Sequence, residues 1–166
     1  MKFVVKESQI AGKGSFAAKD IEAGEHILFF EGEEVPLADI KQRIAKGTMR
    51  ADDDIQISDN FFLDIPKTSP SYFVNHSCDP SAGMRGQKEL FALKRIEKGE
   101  EITFDYSTSY DESCDQENIW SMRCSCGSEK CRGMIGGIGT VPRDVLERYV
   151  ELGALPDFVM GKVTQI

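Results

Sequence analysis

Three closely spaced cysteines constrain this chain more than any other feature of its sequence. Cys124, Cys126 and Cys131 form the pattern C-x-C-x4-C, with Gly127 in its turn. A structural zinc site takes four ligands in a tetrahedron, and a knuckle of this kind can present three sulfurs to one point. The crowding favours a metal site over three unpaired structural cysteines. The fourth ligand must come from elsewhere, and the spacing leaves four candidates: Cys78, Cys114, His76 and His26.

Composition places the chain among single-domain globular proteins. It has 166 residues, of which 40% are hydrophobic and 29% charged, as expected of a soluble domain with its own core. No apolar run approaches the roughly 20 residues that span a bilayer, and the first residues turn charged too early for a secretory signal peptide. We therefore expect an intracellular, cytoplasmic protein without a membrane partner. Action in the nucleus of a host or eukaryotic cell is the alternative. In that setting an odd total of five cysteines favours a metal site over disulfides.

The charge balance narrows the choice of partner. The formal net charge is −8, which makes naked nucleic acid a poor partner, because phosphate binding depends on Lys and Arg. A basic peptide suits this surface field better. The charge by itself is equally typical of a surface that only keeps the protein soluble.

Short strands separated by Gly, Pro and Asp turns make up the first two thirds of the chain. The predicted strands cover residues 3–6, 26–30, 60–64, 90–95 and 101–106. One helix is predicted between Pro36 and Gly47, and a second between Pro142 and Gly153 near the C-terminus. The helices do not alternate with the strands, so the pattern indicates a mostly β fold and argues against a doubly wound parallel sheet.

A glycine pair near the N-terminus has several interpretations. Gly12 and Gly14, with Ala17, satisfy the G-x-G-x-x-[GA] pattern of dinucleotide-binding proteins. The residues that follow do not fit a dinucleotide-binding motif, because Gly24 and strand-like sequence stand where that motif requires a helix. The spacing of a phosphate-binding P-loop is also absent. A simple turn is the default for such a pair, and a dinucleotide-binding enzyme is the weakest of the functional hypotheses.

Two later segments carry polar groups, and neither segment indicates a particular function by itself. The segment from Asn75 to Pro80 contains Asn75, His76 and Cys78, which offer hydrogen-bond donors and acceptors to a polar ligand. A Cys-His nucleophilic pair is disfavoured, because adjacent residues of an extended chain point to opposite faces and the chain has two histidines in total. The second segment, residues 96–106, is a glycine turn followed by a strand that ends on Tyr106.

Taken in order, these segments resemble the SET-domain protein lysine methyltransferases, in particular small proteins of the bacterial or viral type. The resemblance covers about residues 8 to 133 and is carried by Ala11-Gly-Lys-Gly-Ser-Phe-Ala17, Ile21-Glu-Ala-Gly-Glu25, Asn75-His-Ser-Cys-Asp-Pro80, Leu90-Phe-Ala92, Lys98-Gly-Glu-Glu-Ile-Thr-Phe-Asp-Tyr106 and the cysteine knuckle. It implies a SET fold of small curved β-sheets with few short helices, a C-terminal helix, and a pseudoknot that joins the Asn75 and Tyr106 segments. The implied organisation is a SET domain at 1–119, a zinc-binding post-SET segment at 120–137 and a helical tail at 138–166.

The resemblance also implies two bound groups and the residues that hold them. One structural Zn²⁺ would be held by Cys78, Cys124, Cys126 and Cys131. The methyl donor S-adenosylmethionine would be held by Gly12, Lys13, Gly14, Phe16, Asn75, His76, Tyr106, Trp120 and Met122. Tyr106 would be the catalytic hydroxyl, and Phe104 would occupy the position that governs how many methyl groups are added.

The implied function is methylation of lysine side chains in proteins, a histone or another basic protein, to the di- or trimethyl state. The alternative is a catalytically idle, zinc-stapled SET-like module that binds peptides. The partner is expected to be a lysine-containing protein rather than nucleic acid, and the oligomeric state stays open, a homodimer included.

Four positions depart from the usual pattern of the family. Ser81 stands where an Asn is usual, and Tyr72 where an Arg is common. Phe30 replaces a frequent tyrosine, and Ile55 lies in a segment where many relatives have an aromatic residue near the lysine channel. The last two leave fewer hydroxyl groups to grip the substrate amine.

Overall fold

Short strands dominate the computed structural model, which describes residues 2–49, 53–114 and 120–163. The strands are β1 (Phe3–Glu7), β2 (Lys13–Ala17), β3 (His26–Phe29), β4 (Glu33–Pro36), β5 (Asp54–Gln56), β6 (Phe61–Asp64), β7 (Asn75–His76), β8 (Ala82–Arg85), β9 (Glu89–Ala92), β10 (Glu101–Phe104), β11 (Met122–Arg123) and β12 (Met134–Ile135). The α-helices are α1 (Leu37–Ala45), α2 (Arg143–Glu151) and α3 (Asp157–Val163), and 3₁₀ turns occur at Pro70–Phe73, Tyr106–Ser109, Glu112–Cys114 and Ile138–Thr140. The expected mostly β class is confirmed.

The strands form small separate sheets. Their orders are β1-β2-β10-β7, β3-β9-β8, β4-β6-β5 and β11-β12. In the first sheet β10 pairs antiparallel with β2 but parallel with β7, with Thr103 opposite Asn75 and Phe104 opposite His76. This long-range parallel pairing produces the proximity of the Asn75 and Tyr106 segments that the resemblance implies.

The sheet β4-β6-β5 separates two apolar clusters. Successive residues of a strand point to opposite faces, so Leu63 of β6 enters the main core while Phe62 packs with Val35 and Ile40 beneath α1. Helix α1 confirms the helix predicted between Pro36 and Gly47: Pro36 precedes its first turn, and Gly47 follows its end with a φ of 69°. The sheet therefore contributes side chains to an apolar cluster on each face.

The two C-terminal helices cover the outer face of the sheet β3-β9-β8. Leu90 and Ala92 of β9 belong to the main core, whereas Phe91 packs with Tyr149 and Val159 of the helices. Gly83 in β8 permits this approach, since a Cβ there would lie 2.8 Å from the Cβ of Ala154. Helix α2 was predicted from the sequence and α3 was not. No helix among the described residues is long and apolar enough to cross a membrane.

Candidate active site and cysteine cluster

A cavity of about 410 Å³ lies where the parallel β7–β10 pair meets the segment before the cysteine knuckle. Four stretches of chain contribute most of its lining: residues 10–13, 71–76, 104–110 and 120–126. The β7–β10 pairing brings the second and third stretches side by side because it aligns Asn75 and His76 with Thr103 and Phe104. The cavity is thus built from segments that are far apart in sequence.

Tyr106 is fixed at the end of β10 by contacts of its backbone, its hydroxyl and its ring. Its hydroxyl donates to the carbonyl oxygen of Val74 at 2.9 Å, and its backbone N–H donates to Nδ1 of His76 at 3.1 Å. Its ring lies 4.9 Å from that of Phe104 and edge-on to that of His76 at 5.4 Å, centroid to centroid. A tyrosine held in this way presents its hydroxyl oxygen at one defined point in the cavity.

The hydrogen bonds of His76 define its tautomer. Nδ1 accepts the Tyr106 N–H, so the ring hydrogen is on Nε2, which lies 3.3 Å from Sγ of Cys78. Burial lowers the pKa of His76 to about 4 despite the nearby Asp105 carboxylate, so the ring is neutral at neutral pH. His76 therefore connects the cavity to the cysteine cluster as a neutral hydrogen-bonding residue.

Asn75 supports the loop that forms one wall of the cavity. Its Nδ2 donates to the carbonyl oxygen of Lys13 at 3.0 Å and to Oε1 of Glu101 at 2.7 Å. The Ser8 hydroxyl donates to the same Glu101 carboxylate at 2.8 Å. Ser8 and Glu101 thus hold the 8–13 loop against β10, a role that no motif or spacing indicates.

The deepest part of the cavity is apolar. Phe30, Ile55, Ile65 and Phe104, which we call the inner wall, are each at most 7% exposed. The rings of Phe30 and Phe104 lie 5.5 Å apart, centroid to centroid. A charged group entering this region loses its hydration, so the inner wall favours the neutral form of an amine.

A second part of the lining, which we call the outer wall, consists of Tyr110, Trp120, Met122 and residues 123–126. The rings of Tyr110 and Trp120 lie 5.7 Å apart, centroid to centroid. These aromatic and Met side chains are only partly buried. The outer wall therefore offers a partly exposed, largely aromatic surface in the same cavity as the polar His76 and Asn75.

Four cysteine sulfurs form a cluster at the outer wall, to which Cys124 and Cys126 belong. The Sγ atoms of Cys78, Cys124, Cys126 and Cys131 all lie within 4.8 Å of one another, and those of Cys78 and Cys124 are 3.7 Å apart. Ligands 2.3 Å from a tetrahedral zinc ion are about 3.8 Å from each other, so the spacing is compatible with a single metal ion. Cys114 is not a member of the cluster.

The Cys78 sulfur is surrounded by hydrogen-bond donors. Its Sγ lies 3.3 Å from each of three nitrogens that carry hydrogen: Nε2 of His76, and the backbone N and Nε of Arg132. A thiolate ligated to a cation commonly accepts such hydrogen bonds from neighbouring groups, which orient the ligand. The donor set therefore fits a metal ligand better than a neutral thiol.

The comparisons with known proteins agree with this geometry. The family model described as SET domain matches residues 12–107. The chain belongs to the SET-domain family. The matched region contains Gly12, Lys13, Asn75, His76, Phe104 and Tyr106. The outer wall and three of the cluster cysteines follow it in the sequence.

Several histone-lysine methyltransferases are similar to this SET protein in sequence. It is 34% identical over 138 residues to "Histone-lysine N-methyltransferase trithorax" of Drosophila virilis, which covers 77% of this chain and 3% of that protein. It is 32% identical over 147 residues to "Histone-lysine N-methyltransferase, H3 lysine-36 specific" of Candida albicans, covering 82% and 17% respectively. The chain thus spans less than a fifth of the length of these relatives.

A solved structure shows the same fold. The match is a chain of a humanized mutant of the Chaetomium thermophilum Polycomb Repressive Complex 2 bound to the inhibitor GSK126, with a TM-score of 0.58 and 24% identity. It covers 70% of this chain and 16% of that one. At this identity the likeness establishes the SET fold alone.

The structure brings together most of the residues predicted to bind the cofactor. Gly12, Lys13, Asn75, His76, Tyr106, Trp120 and Met122 line the cavity, together with Phe104. Gly14 and Phe16 do not line it. A Cβ on Gly14 would lie 2.1 Å from Oε1 of Glu101, and the ring of Phe16 is covered by the Lys6 ammonium at 4.4 Å. In the structure Gly14 allows the close approach of Glu101 to β2.

A buried carboxylate in the cavity lining was missed by the sequence analysis. Oδ1 of Asp53 accepts from the Tyr72 hydroxyl at 2.5 Å, and Oδ2 lies 3.1 Å from Nζ of Lys67. Tyr72 is the residue that stands where the family commonly has an Arg. Because the partners come from different segments, no local pattern marks this site in the sequence.

Proposed function

We propose that the SET domain of this chain is a protein lysine methyltransferase that uses S-adenosylmethionine. The observation that carries the proposal is the position of Tyr106, whose oriented hydroxyl lies in one cavity with an apolar inner wall and the 10–13 loop. When bound, the cofactor supplies an electrophilic methyl group on a sulfonium. Transfer to a lysine amine would replace the C–S bond with a C–N bond, and the products would be a thioether and, after loss of a proton, a methylated amine.

The inner wall prepares the amine for this step. A lysine with an ordinary pKa of about 10.4 arrives protonated, and only its neutral form has a free lone pair. Phe30, Ile55 and Phe104 lower that pKa by excluding water. Tyr106 then orients the amine with its hydroxyl oxygen, and alignment of this kind can contribute roughly 7–11 kcal/mol to lowering the barrier.

We assign the cofactor to the 10–13 loop and the outer wall. The Lys13 ammonium would pair with the cofactor carboxylate, and the Gly12–Lys13 backbone together with Asn75 and His76 would bind its polar groups. Trp120 and Met122 would cover the flat adenine ring. Gly14 and Phe16 would then act indirectly, through the support of the same loop.

We further propose that Cys78, Cys124, Cys126 and Cys131 hold one structural Zn²⁺. The ion would tie a post-SET segment at 120–137 to the SET domain at 1–119, with 138–166 as a helical tail. It would thereby hold the outer wall against the cavity. The support is the mutual spacing of the sulfurs and the three N–H donors on Cys78.

The proposed substrate is a basic, lysine-containing protein inside the cell, and a histone is the first candidate. The support is the formal net charge of −8 and the similarity to proteins named histone-lysine N-methyltransferases. Phe104 favours di- or trimethylated products, because it provides no hydroxyl to restrain a methylated amine.

The direct test is incubation of the purified protein with S-adenosylmethionine and unmodified histone octamers, followed by mass spectrometry of lysine residues. We expect a gain of methyl groups on lysine alone, with cofactor binding measured in parallel by calorimetry. Binding of the cofactor or a histone peptide without any turnover would instead support the idle peptide-binding module. Calorimetry with NAD is the negative control.

A further inference from the structure

Asp105, between Phe104 and Tyr106, is a buried carboxylate whose two oxygens are both occupied. Its side chain is 1% exposed. Oδ1 accepts from Nη2 of Arg132 at 2.6 Å and from the backbone N–H of Ser107 at 3.1 Å, and Oδ2 accepts from the Tyr149 hydroxyl at 3.1 Å. The carboxylate therefore joins the end of β10 to two later segments of the chain.

Arg132 extends this network to the cysteine cluster. The residue directly follows Cys131, and its backbone N and Nε both lie 3.3 Å from Sγ of Cys78. One guanidinium thus contacts the Asp105 carboxylate and the Cys78 sulfur together. Arg132 therefore links the cysteine cluster to the end of β10.

Tyr149 belongs to α2, beyond the region matched by the family model. It is 4% exposed and is packed among apolar residues of α3 and β9, including Val159 and Phe91. Burial, and then the neighbouring Asp105 carboxylate, raise the pKa of Tyr149, so its hydroxyl keeps its proton and remains a donor. The packing of the C-terminal helices therefore determines where this donor lies.

We infer that Tyr149 is a positioning residue, through which the C-terminal helices hold Asp105, and with it Tyr106 and Arg132, in the geometry that the active site requires. This inference rests on the proposed function only for its effect on turnover. Asp105 is covalently joined to Tyr106, and a carboxylate with both oxygens held leaves that tyrosine little freedom to move. The tail is then part of the catalytic unit as well as a cover for the sheet.

The test compares Tyr149→Phe with Val159→Ala in the full chain. The first variant removes one hydroxyl and keeps the ring, whereas the second removes packing from the same cluster and keeps the Tyr149–Asp105 bond. Amide hydrogen exchange of Tyr106 and Ser107 measures the order of the strand end without reference to metal or turnover. Thermal unfolding is recorded so that both variants are compared at equal fractions folded.

We expect Tyr149→Phe to accelerate exchange at Tyr106 and Ser107 about tenfold relative to Val159→Ala, as for loss of a hydrogen bond to a buried charge. In methyl transfer it should lower kcat by a similar factor with little change in the peptide KM. Equal exchange at these two amides in both variants would overturn the inference. If the wild type shows no turnover, the proposed function fails, and the exchange comparison still decides the role of Tyr149.

Discussion

The two walls of the cavity are built by different means. The inner wall consists of core residues such as Phe30 and Phe104, which are 1% and 3% exposed and are fixed by strand pairing and packing. The outer wall is only partly buried and is attached through the short β11–β12 pair and the neighbouring cysteine cluster. The position of the inner wall thus depends on the packing of the core, whereas the position of the outer wall depends on the β11–β12 pair and the cysteine cluster. Substitutions near the inner wall should therefore change turnover or product, whereas substitutions in the cysteine cluster should change zinc content and cofactor binding.

The largest effect is expected at the end of β10. Tyr106→Phe removes the hydroxyl that donates to Val74 and changes the side-chain volume little, so the fold should persist. Turnover should fall by about 100- to 1000-fold, as when one preorganised polar group is lost from a reacting centre. Rates on a lysine peptide, with cofactor binding by calorimetry, measure this. Unchanged turnover in a variant that still binds the cofactor would show that Tyr106 is not the catalytic hydroxyl.

A cluster variant should affect the outer wall first. Cys78→Ser should lower the zinc content below one ion per chain and weaken cofactor binding, because structural zinc contributes directly to folding of the segment that it holds. Elemental analysis of purified protein measures the ratio. Cys114→Ser is the matched control, since Cys114 lies outside the cluster, and it should keep the full zinc content. The reverse pattern would show that the ligand assignment is wrong.

An intermediate effect is expected at Phe104, where a substitution should change the number of methyl groups added to the product lysine. Phe104→Tyr adds a hydroxyl to the inner wall near Phe30, where it can bond the amine or an ordered water and occupy space that further methyl groups need. Product mixtures should shift toward monomethyl-lysine while the first transfer continues. Mass spectrometry over long incubations measures the shift. A wild-type enzyme that stops at one methyl group on its best substrate would contradict this assignment.

The smallest effect is expected at Tyr72, a cavity tyrosine whose hydroxyl donates to a carboxylate. Tyr72→Phe deletes the hydroxyl bonded to Asp53 and leaves Lys67 beside that carboxylate. We expect a stability loss of about 1–3 kcal/mol, typical of a hydrogen bond to a charged group, and a change in turnover far smaller than that of Tyr106→Phe. Denaturant unfolding and steady-state rates test both. Equal losses of turnover in the two tyrosine variants would erase the distinction between them.

Local signals in the sequence predicted some elements well. Helices α1 and α2 follow Pro36 and Pro142 and end near Gly47 and Gly153, so their boundaries are encoded by neighbouring residues. Strands β2 and β8 were missed because each contains glycine, which is unfavourable in a strand. Gly14 and Gly83 are required there by close approaches to Glu101 and Ala154, contacts that only the tertiary structure creates.

The site was predictable to the extent that its residues share a motif. The cysteine spacing indicated a metal site, but Cys78 could be chosen only through the family resemblance, because it lies 46 residues before Cys124 in the sequence. The contacts of Asp105 with Arg132 and Tyr149 carried no signal in the sequence. Their roles depend on distances between three segments, and neither periodicity nor spacing encodes such distances.

Trp120 has a practical consequence. It is the chain's single tryptophan, and it stands in the outer wall beside Tyr110. Emission excited at the red edge of the aromatic band therefore originates from one known location. Stopped-flow mixing with cofactor, peptide or a chelator can follow arrival and departure at that location in real time, without attaching a dye.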